Sequence, residues 1–424
     1  MKPIPSDRAN ADTALAHRDT LLPCLAYLLD NDRLSGLLGE PVRITRVRYK
    51  PRTSALVAFR RTRNGRHDYG WAMTRTPDGN AKLHRREHFS STHGGDIRIL
   101  CPDQGRPDAL VAVGGFEDDW ELAGNLLWLR DHGLQRLGAP QRPGSGLCGG
   151  AGTILRYKPE RRLVLRNPGP GGSLVIKAAA QPFDAQRQRH FWQRLDQYGV
   201  PVLPLLADEE CSDHGISASP TWGEGDLGAL HGDTGALRAG EALARLHRIP
   251  QDPDVTTPGR PANVLDQLEA NRAMITTLVP ALEEAASLLA ARLRHRLQEH
   301  TGHRACVLIH GDFSPDQVLV SGSEVRIIDF DRTHTDAPEA DLGAFAAVDE
   351  ITTRAQHRDS AGGPKTAQLT EGYVRAGGEF TPGRVNLWAA FRLFTGSIDP
   401  FRDRAPRWAS DMAWHLDRAR ELTT

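Results

Sequence analysis

Two stretches of the chain alternate apolar and polar residues in the way that short antiparallel strands do. Each begins with the same four residues, Arg-Tyr-Lys-Pro, first at 48–51 and again at 156–159. Each then continues through an apolar run, a Gly-containing turn and a second apolar run, a pattern that predicts a β-meander. The shared motif and the shared pattern after it favour an ancient duplication of one unit. The second copy ends in Lys177, and we expect Thr74 at that position in the first copy.

Helical periodicity dominates the second half of the chain. Apolar residues spaced three and four positions apart form a stripe on one face of a helix, which is typical of a helix packed on a core. The helices predicted in this way cover 118–132, 183–198, a segment that begins at 237, two segments within 264–299 that are separated near Pro280, 366–376, 384–394 and 406–422. The apolar segment 200–206 predicts a strand, and 216–221 predicts a short extended piece.

The order of these elements indicates three parts. The Pro- and Gly-rich stretch at 140–152 is the best domain boundary in the chain. We therefore expect an N-terminal α/β domain over 1–140, a β-rich lobe over 152–221 and a mostly helical lobe over 222–424 with one embedded hairpin. The predicted fold class is α+β: two lobes preceded by an extra domain that resembles a degenerate copy of the β-rich lobe.

Composition narrows the class of protein. The 424 residues include 53 basic and 53 acidic ones, and this zero net charge argues against a surface built for nucleic acid or anionic lipid. No apolar run approaches the ~20 residues of a membrane span, and the first residues lack a signal-peptide core. The five cysteines never form a C-x-x-C pair, which argues against a disulfide scaffold or a cysteine zinc site. We expect a cytoplasmic protein without nucleic-acid or membrane partners.

The strongest chemical pattern lies at 310–331, where a polar loop precedes two apolar strands joined by a Ser-Gly-Ser turn. Pairing of these strands would bring Asp312, Gln317 and Asp329 together. Carboxylate and amide oxygens are suitable ligands for Mg²⁺, whose coordination shell is completed by substrate phosphates. One acid remains to orient an attacking hydroxyl and accept its proton. The alternative is an ordinary hairpin with acidic residues at its solvated end.

These residues resemble those of a known family. The pattern H-G-D-x-x-x-x-[NQ]-x-L at 310–319, followed by I-D-F-[DE] at 328–331, is similar to that of the aminoglycoside phosphotransferase and choline kinase group. Members of this group are small-molecule kinases with a protein-kinase-like fold. The segments L-A-R-L-H at 243–247 and D-L-G at 341–343 resemble further segments of the family. The resemblance covers about residues 152–420.

The resemblance implies a role for each residue of this pattern. Asp312 would be the catalytic base, and His310 would support its loop. Gln317 and Asp329 would bind Mg²⁺, and Asp331 would assist metal or substrate binding. The amide position is more often Asn in the family, but Gln317 keeps the same carbonyl ligand and shifts it by about one bond length. The maltokinase and glucosamine kinase branch resembles this chain in using Gln here.

Lysine is scarce in this chain, since only six of the 53 basic residues are Lys. Lys177 ends a strand where the resemblance implies a cation that holds the phosphates of ATP. The alternative is a solvated lysine at a strand end. Arg156 and Ser219 are further candidates for contacts with the nucleotide. The following helix contains no Glu to pair with Lys177, and its Asp184 is placed to cap the helix.

The resemblance implies an ATP- and Mg²⁺-dependent phosphotransferase that acts on a hydroxyl of a small molecule, such as a sugar, an aminoglycoside or another natural product. Two alternatives stay open. One is a kinase for peptide Ser or Thr in natural-product biosynthesis; the other is a pseudokinase-type binding module without turnover. The Gly-containing turn at 169–172 lacks G-x-G-x-x-G spacing, which favours a plain hairpin turn. The second His-Gly-Asp, at 231–233, is expected to be a loop because no metal-ligand strand follows it.

Overall fold

Two compact units make up the computed structural model of the chain. The first comprises Met1–Phe183, Leu205–Thr221 and Asp399–Asp411, and the second comprises Asp184–Pro204, Trp222–Ile398 and Met412–Thr424. The structure describes residues 4, 7–63, 65–92, 94–139, 146–147, 152–230, 235–250, 263–299, 306–356 and 364–424. Throughout these described ranges, no helix has both the length and the apolar character needed to cross a membrane.

The elements before the predicted domain boundary are α1 (Arg8–Arg18), α2 (Leu25–Leu29), α3 (Asn31–Leu38), β1 (Val42–Lys50), β2 (Ser54–Arg63), β3 (Arg66–Arg75), α4 (Asn80–Thr92), β4 (Arg98–Leu100), β5 (Val111–Gly115), α5 (Ala123–Trp128) and α6 (Leu134–Arg136). The elements after it are β6 (Thr153–Lys158), β7 (Arg162–Gly169), β8 (Gly172–Ala179), α7 (Ala185–Gln197), α8 (Glu209–Asp213), β9 (Ile216–Pro220), β10 (Gly225–Asp226), α9 (Ala236–His247), α10 (Val264–Leu278), α11 (Glu283–Glu299), β11 (Val307–Ile309), β12 (Val318–Ser321), β13 (Glu324–Ile327), β14 (His334–Asp336), α12 (Glu339–Ala355), α13 (Pro364–Arg375), α14 (Pro382–Gly396), α15 (Asp399–Arg402) and α16 (Trp408–Leu422).

Both predicted β-meanders are present and antiparallel. The first forms a sheet in the order β1-β2-β3-β5-β4, and the second forms a sheet in the order β6-β7-β8-β9. The first hairpin has the same register in both copies, because Lys50 pairs with Ser54 and Lys158 pairs with Arg162. The predicted α+β class is therefore confirmed. The predicted division at 140–152 falls mostly outside the described residues and stays a prediction.

The strand register corrects one detail of the repeat. Val164 on β7 pairs with Lys177 on β8, and the equivalent pair in the first copy is Leu56 with Met73. The prediction that Thr74 stands at the position of Lys177 is therefore wrong by one residue, because sequence spacing alone did not fix the strand pairing. The first copy has a buried thioether where the second has a cation.

The two meanders also share a hydrogen-bond motif that the sequence did not reveal. In each copy a buried Asp accepts a hydrogen bond from the hydroxyl of the motif Tyr and another from the backbone N–H three residues further on. The second donor residue has left-handed backbone in both copies, with φ of 57° and 58°. These residues are Asp19, Tyr49 and Arg52 in the first copy, and Asp119, Tyr157 and Glu160 in the second. This shared geometry favours the duplication.

One hydrophobic core joins the two sheets within the first unit. Leu56 and Met73 of the first sheet contribute to it, as do Leu163, Leu165 and Ile176 of the second. Because side chains alternate along a strand, Lys177 lies on the opposite face of the second sheet from this core. The equivalent face of the first sheet is buried, as Leu56 and Met73 show. The first copy therefore offers no open surface at the position where the second presents a cation.

In the second unit, the predicted hairpin and helices are confirmed. Strands β12 and β13 pair around the Ser-Gly-Ser turn, and α10 and α11 are separated at Pro280. Helix α9 contributes Leu243 and Leu246 to a core that also contains Ile327 and Phe313. The apolar spacing did not predict α12.

The expected strand at 200–206 is wrong. Only Val202 makes a β-bridge there within the described chain, a parallel one to Ile327. Pro201 and Pro204 lack the backbone N–H that a strand ladder needs, so the segment does not become a strand of a sheet.

The segment 399–411 belongs to the first unit through a buried ion pair. Arg404 contacts both carboxylate oxygens of Asp12 on α1, and its guanidinium also donates to the Leu29 carbonyl at 2.7 Å. Trp408 Nε1 donates to Asp12 Oδ1 at 3.1 Å. Burial raises the pKa of Asp12 above its ordinary value despite the opposing effect of Arg404. Breaking such a buried pair is costly, because one charge is left without compensation.

Candidate active site

The hairpin of β12 and β13 places two predicted metal ligands next to each other. Beyond the last paired residues, Val318 and Ile327, the Ile328 N–H donates to the backbone carbonyl of Gln317 at 3.0 Å. Asp329 follows directly and has left-handed backbone, with φ of 66°. A non-Gly residue pays roughly 1–2 kcal/mol for that conformation. The strain is held by the surrounding structure and turns the chain at the point where the carboxylate is presented.

His310 connects the polar loop to the same end of the hairpin. Its Nε2 lies 2.9 Å from the Ile328 carbonyl, so this nitrogen is the donor. The ring is fully buried and lies 4.9 Å from the ring of Phe330, centroid to centroid. The predicted supporting role of His310 has a clear physical basis, since the imidazole fixes the loop against the strand that leads into Asp329.

A buried carboxylate holds the backbone of this loop. Asp341, at the start of α12, accepts hydrogen bonds from the N–H groups of His310 at 2.7 Å and Gly311 at 2.9 Å. Its Oδ2 also lies 3.1 Å from His247 Nε2, and His247 Nδ1 lies 2.9 Å from the hydroxyl of Tyr373. Burial by itself raises the pKa of Asp341, but the hydrogen bonds from His247 and the loop bring it below the ordinary value.

Gly311 is required at the centre of this loop. Its φ is 79°, and a Cβ added there would lie 2.3 Å from the Arg332 carbonyl oxygen. Any side chain would therefore push the loop away from the turn at Phe330–Arg332. The sequence resemblance pointed to 243–247 and 341–343, but Tyr373 was missed, because it is 126 residues from His247 along the chain.

Asp312 lies at the accessible side of this framework. It is half-buried, and one of its carboxylate oxygens is 3.5 Å from Nη1 of Arg332, an exposed residue. The backbone N–H of Asp312 points to His310 Nδ1 at a long 3.4 Å. A carboxylate on a braced loop, open on one side, is the arrangement that a general base needs. Asp331, the residue before Arg332, is also exposed.

The ligands present suit Mg²⁺. Gln317 Nε2 donates to Asp316 Oδ2 at 2.9 Å, and Ser314 Oγ donates to Asp316 Oδ1 at 2.6 Å. The amide nitrogen of Gln317 is thus engaged, which turns its carbonyl oxygen toward other partners. In the described part of the chain, no three His, Cys, Asp or Glu side chains gather as a metal site. Mg²⁺ takes one or two carboxylates and completes its shell with other oxygens, and the side chains of Asp329 and Gln317 offer donors of this kind.

The predicted nucleotide-binding residues lie on one face of the second sheet. Arg156, Val164, Lys177 and Ser217 pair in register across β6, β7, β8 and β9. Ser219 is two residues further along β9 and so faces the same side. The structure thus brings Arg156, Lys177 and Ser219 to one surface of the first unit.

Two neighbouring features are structural. Gly169 pairs with Gly172 at the end of the β7–β8 hairpin, five residues or ~16 Å along the strand from Lys177. This turn is too distant to contact a phosphate held by Lys177, which supports the plain hairpin turn. Asp184 caps α7, since its side chain accepts from the Arg187 N–H at 2.9 Å. The second His-Gly-Asp, at 231–233, lies outside the described residues.

Comparison with known proteins agrees with this geometry. The model of a family described as the phosphotransferase enzyme family matches residues 152–388. No curated protein matches the chain. Solved structures that resemble it include a choline/ethanolamine kinase family protein from Mesorhizobium loti, with 18% identity over 69% of this chain and 94% of that one at a TM-score of 0.45.

Two further solved structures have similar statistics. The amicoumacin kinase has 13% identity over 72% of this chain and 95% of its own, at a TM-score of 0.49. A macrolide 2′-phosphotransferase from Brachybacterium faecium has 20% identity over 71% and 98%, at a TM-score of 0.40. The family model covers more than half of the chain, which confirms the predicted phosphotransferase; the maltokinase branch stays a prediction. The chain belongs to the phosphotransferase enzyme family.

Proposed function

We propose that the protein transfers the γ-phosphoryl group of ATP to a hydroxyl group of a small molecule, with Mg²⁺ as the cofactor. The observation that supports this most is the loop of Asp312. Its backbone is held by Asp341, its His310 is bonded to the strand end before Asp329, and its carboxylate is open to one side. This is the preorganisation that phosphoryl transfer requires, because positioning and charge supply most of its catalysis.

In the proposed reaction, Asp312 orients the acceptor hydroxyl and takes its proton as the oxygen bonds to the γ-phosphorus. The bond between that phosphorus and the β,γ-bridging oxygen breaks, and ADP carries away the bonding electron pair. Gln317, through its carbonyl oxygen, and Asp329 would hold Mg²⁺, which supplies neutralisation of phosphate charge. Lys177 and Arg156 would bind the phosphates of the nucleotide, and the base would rest near Ser219 on neighbouring backbone groups.

The surroundings of Asp312 favour a neutral or anionic acceptor over a polycation. Arg332 places a guanidinium 3.5 Å from the carboxylate that must meet the acceptor. Like charges brought together in a binding site cost affinity, so a polyamine-type acceptor is disfavoured there. A sugar hydroxyl or a hydroxyl next to a carboxylate or phosphate would suit this site better than an aminoglycoside.

An ADP-release screen tests the proposal. Purified protein with ATP and Mg²⁺ is offered neutral sugars, sugar acids, nucleosides, aminoglycosides and Ser-containing cyclic peptides. We expect stimulation by at least one neutral or anionic acceptor, and loss of roughly 10²–10⁴-fold in that rate for Asp312→Asn. Glu324→Gln, at the far turn of the same hairpin, is the matched control and should retain the rate. Equal ADP release from wild type and Asp312→Asn with every acceptor would contradict the proposal.

A further inference from the structure

The turn between β6 and β7 is the turn that lies near Lys177. Arg162 begins β7 and pairs with Ala179, two residues beyond Lys177 on β8, so the turn at 159–161 stands at the Lys177 end of the sheet. In a kinase-type lobe the first hairpin covers the phosphates with a flexible Gly-rich loop. Here the turn reads Pro-Glu-Arg and contains no Gly. The shape of this turn therefore depends on contacts other than the freedom of a glycine backbone.

Residues that precede the family region fix this turn. Glu160 forms ion pairs with Arg48 on β1 and Arg86 on α4, and each carboxylate oxygen lies 2.8 Å from a guanidinium nitrogen. Its backbone N–H donates to Asp119 at 2.8 Å, and this buried carboxylate also accepts from Tyr157. Three contacts from the N-terminal residues thus replace the flexibility of a Gly-rich loop by a fixed conformation.

A group of cations surrounds the base of the same turn. Arg156 and Lys158 lie on β6, and Arg162 lies opposite Lys158 on β7. The charge of Arg46, on β1, also acts on Lys158. Asp403, from the segment 399–411, forms an ion pair with Arg46. Arg46 and Asp403 both fall outside the matched region 152–388. We define these four cations and Asp403 as the turn cluster.

The charges in the turn cluster are not balanced around Lys158. Burial lowers the pKa of Lys158 to about 7. The charges of Arg156, Arg162 and Arg46 lower this pKa as well, whereas the charge of Asp403 raises it. A half-buried ammonium that neighbouring cations disfavour gains most from an incoming anion. Arg156 stands in one cross-strand row with Lys177, so the cluster continues the surface proposed for the nucleotide.

We propose that the turn cluster binds the phosphate tail of the nucleotide, with Arg46 supplied by the N-terminal region and Asp403 acting as an internal anion that competes for it. This proposal rests on the proposed function and extends it, because it makes residues outside the family region part of the nucleotide site. It assigns the N-terminal region a direct role: it shapes the β6–β7 turn and contributes a cation to the phosphates.

Binding to the full-length protein, measured by isothermal titration calorimetry with ATP, pyrophosphate and adenosine, tests the proposal. Lys158→Gln and Arg46→Gln should each weaken ATP and pyrophosphate by roughly 10-fold and leave adenosine unchanged. Asp403→Asn should tighten the binding of ATP and pyrophosphate by roughly 3-fold, because Arg46 no longer pairs with a competing carboxylate. Arg98→Gln is the matched control, since it makes the same charge change at an exposed residue of β4 in the first sheet; it should have little effect.

The sign of the Asp403→Asn effect separates phosphate binding from a structural role. A purely structural ion pair predicts that Arg46→Gln and Asp403→Asn both weaken binding. Repeating the titrations in buffers of different ionisation enthalpy adds a second readout: wild type should take up about one more proton on binding ATP at pH 8 than Lys158→Gln does, because the bound phosphates recharge Lys158.

The outcomes distinguish the two proposals. Wild type that binds neither ATP nor pyrophosphate contradicts both of them. The turn cluster alone is contradicted if wild type binds ATP, Lys177→Met does not, and Lys158→Gln and Arg46→Gln bind it as tightly as wild type. Tighter phosphate binding by Asp403→Asn together with weaker binding by the two cation variants supports it.

Discussion

Replacing Asp341 by Asn tests whether the catalytic loop depends on one buried carboxylate. Three donors face it: the N–H groups of His310 and Gly311, and Nε2 of His247. An Asn side chain has one acceptor oxygen, and its NH₂ group would confront at least one of these donors. A buried donor without an acceptor costs about 1–3 kcal/mol, and a lost charge adds to this. We expect Asp341→Asn to lower the free energy of unfolding by roughly 2–4 kcal/mol.

Urea unfolding followed by tryptophan fluorescence measures this loss, and ADP release measures its effect on the loop. Tyr373→Phe is the graded control, because it removes a single hydrogen bond to His247 and should cost about 1 kcal/mol. We expect the acceptor-stimulated rate to fall at least about 10-fold in Asp341→Asn, since the Asp312 loop loses its fixed position. If Asp341→Asn costs no more stability than Tyr373→Phe, the loop is held by other contacts and the reasoning is wrong.

The pKa of Asp341 adds a dependence on pH. Its value in the folded protein is below the ordinary one, so its contribution to stability is present above about pH 4 and is lost as the pH falls through the folded value. Wild type should therefore lose stability on acidification more steeply than Asp341→Asn. Urea midpoints at pH 3 and pH 6 for both proteins measure the difference, and parallel curves would contradict it.

Three further changes have defined outcomes. Burial raises the pKa of Asp119 to about 6, so this residue costs stability as the pH rises from about 4 to 6, and thermal unfolding of Asp119→Asn should show a smaller decline across that range. Arg404→Met leaves Asp12 buried without its partner and should cost about 3–5 kcal/mol by urea unfolding, whereas a value below 1 kcal/mol would contradict the buried pair. Gln317→Ala should raise the Mg²⁺ concentration for half-maximal ADP release, and an unchanged Mg²⁺ titration would remove Gln317 from the metal site.

Local patterns predicted what depends on neighbours in sequence. The hairpin at 318–327 and the cap at Asp184 follow from turn and capping residues, and each is present. The strand predicted at 200–206 is absent because its two prolines lack backbone donors, and apolar composition does not compensate for that. On β3, Met73 and not the predicted Thr74 stands at the position of Lys177, since spacing within a strand does not say which residues pair across it.

The remaining features depend on contacts between distant residues. Tyr373 reaches His247 across 126 positions, and Arg404 reaches Asp12 across 392. Such pairs leave no mark in the composition or periodicity of either segment, because any segment could carry an Arg or a Tyr in the same pattern. The candidate site was recognisable from its motif, whereas the groups that hold it in place were visible only in the folded chain.

The tie between Asp12, Arg404 and Trp408 has a consequence for how this protein can be shortened. A fragment cut to the family boundaries, 152–388, would discard all three residues together with Tyr49, Asp19 and the half of the shared core that lies before residue 140. The remaining half of that core, which includes Leu163, Leu165 and Ile176, would then be exposed to water, and such a fragment should aggregate on expression. Because the two parts depend on each other for burial, we expect residues 1–140 and the segment 399–411 to be gained or lost together among relatives.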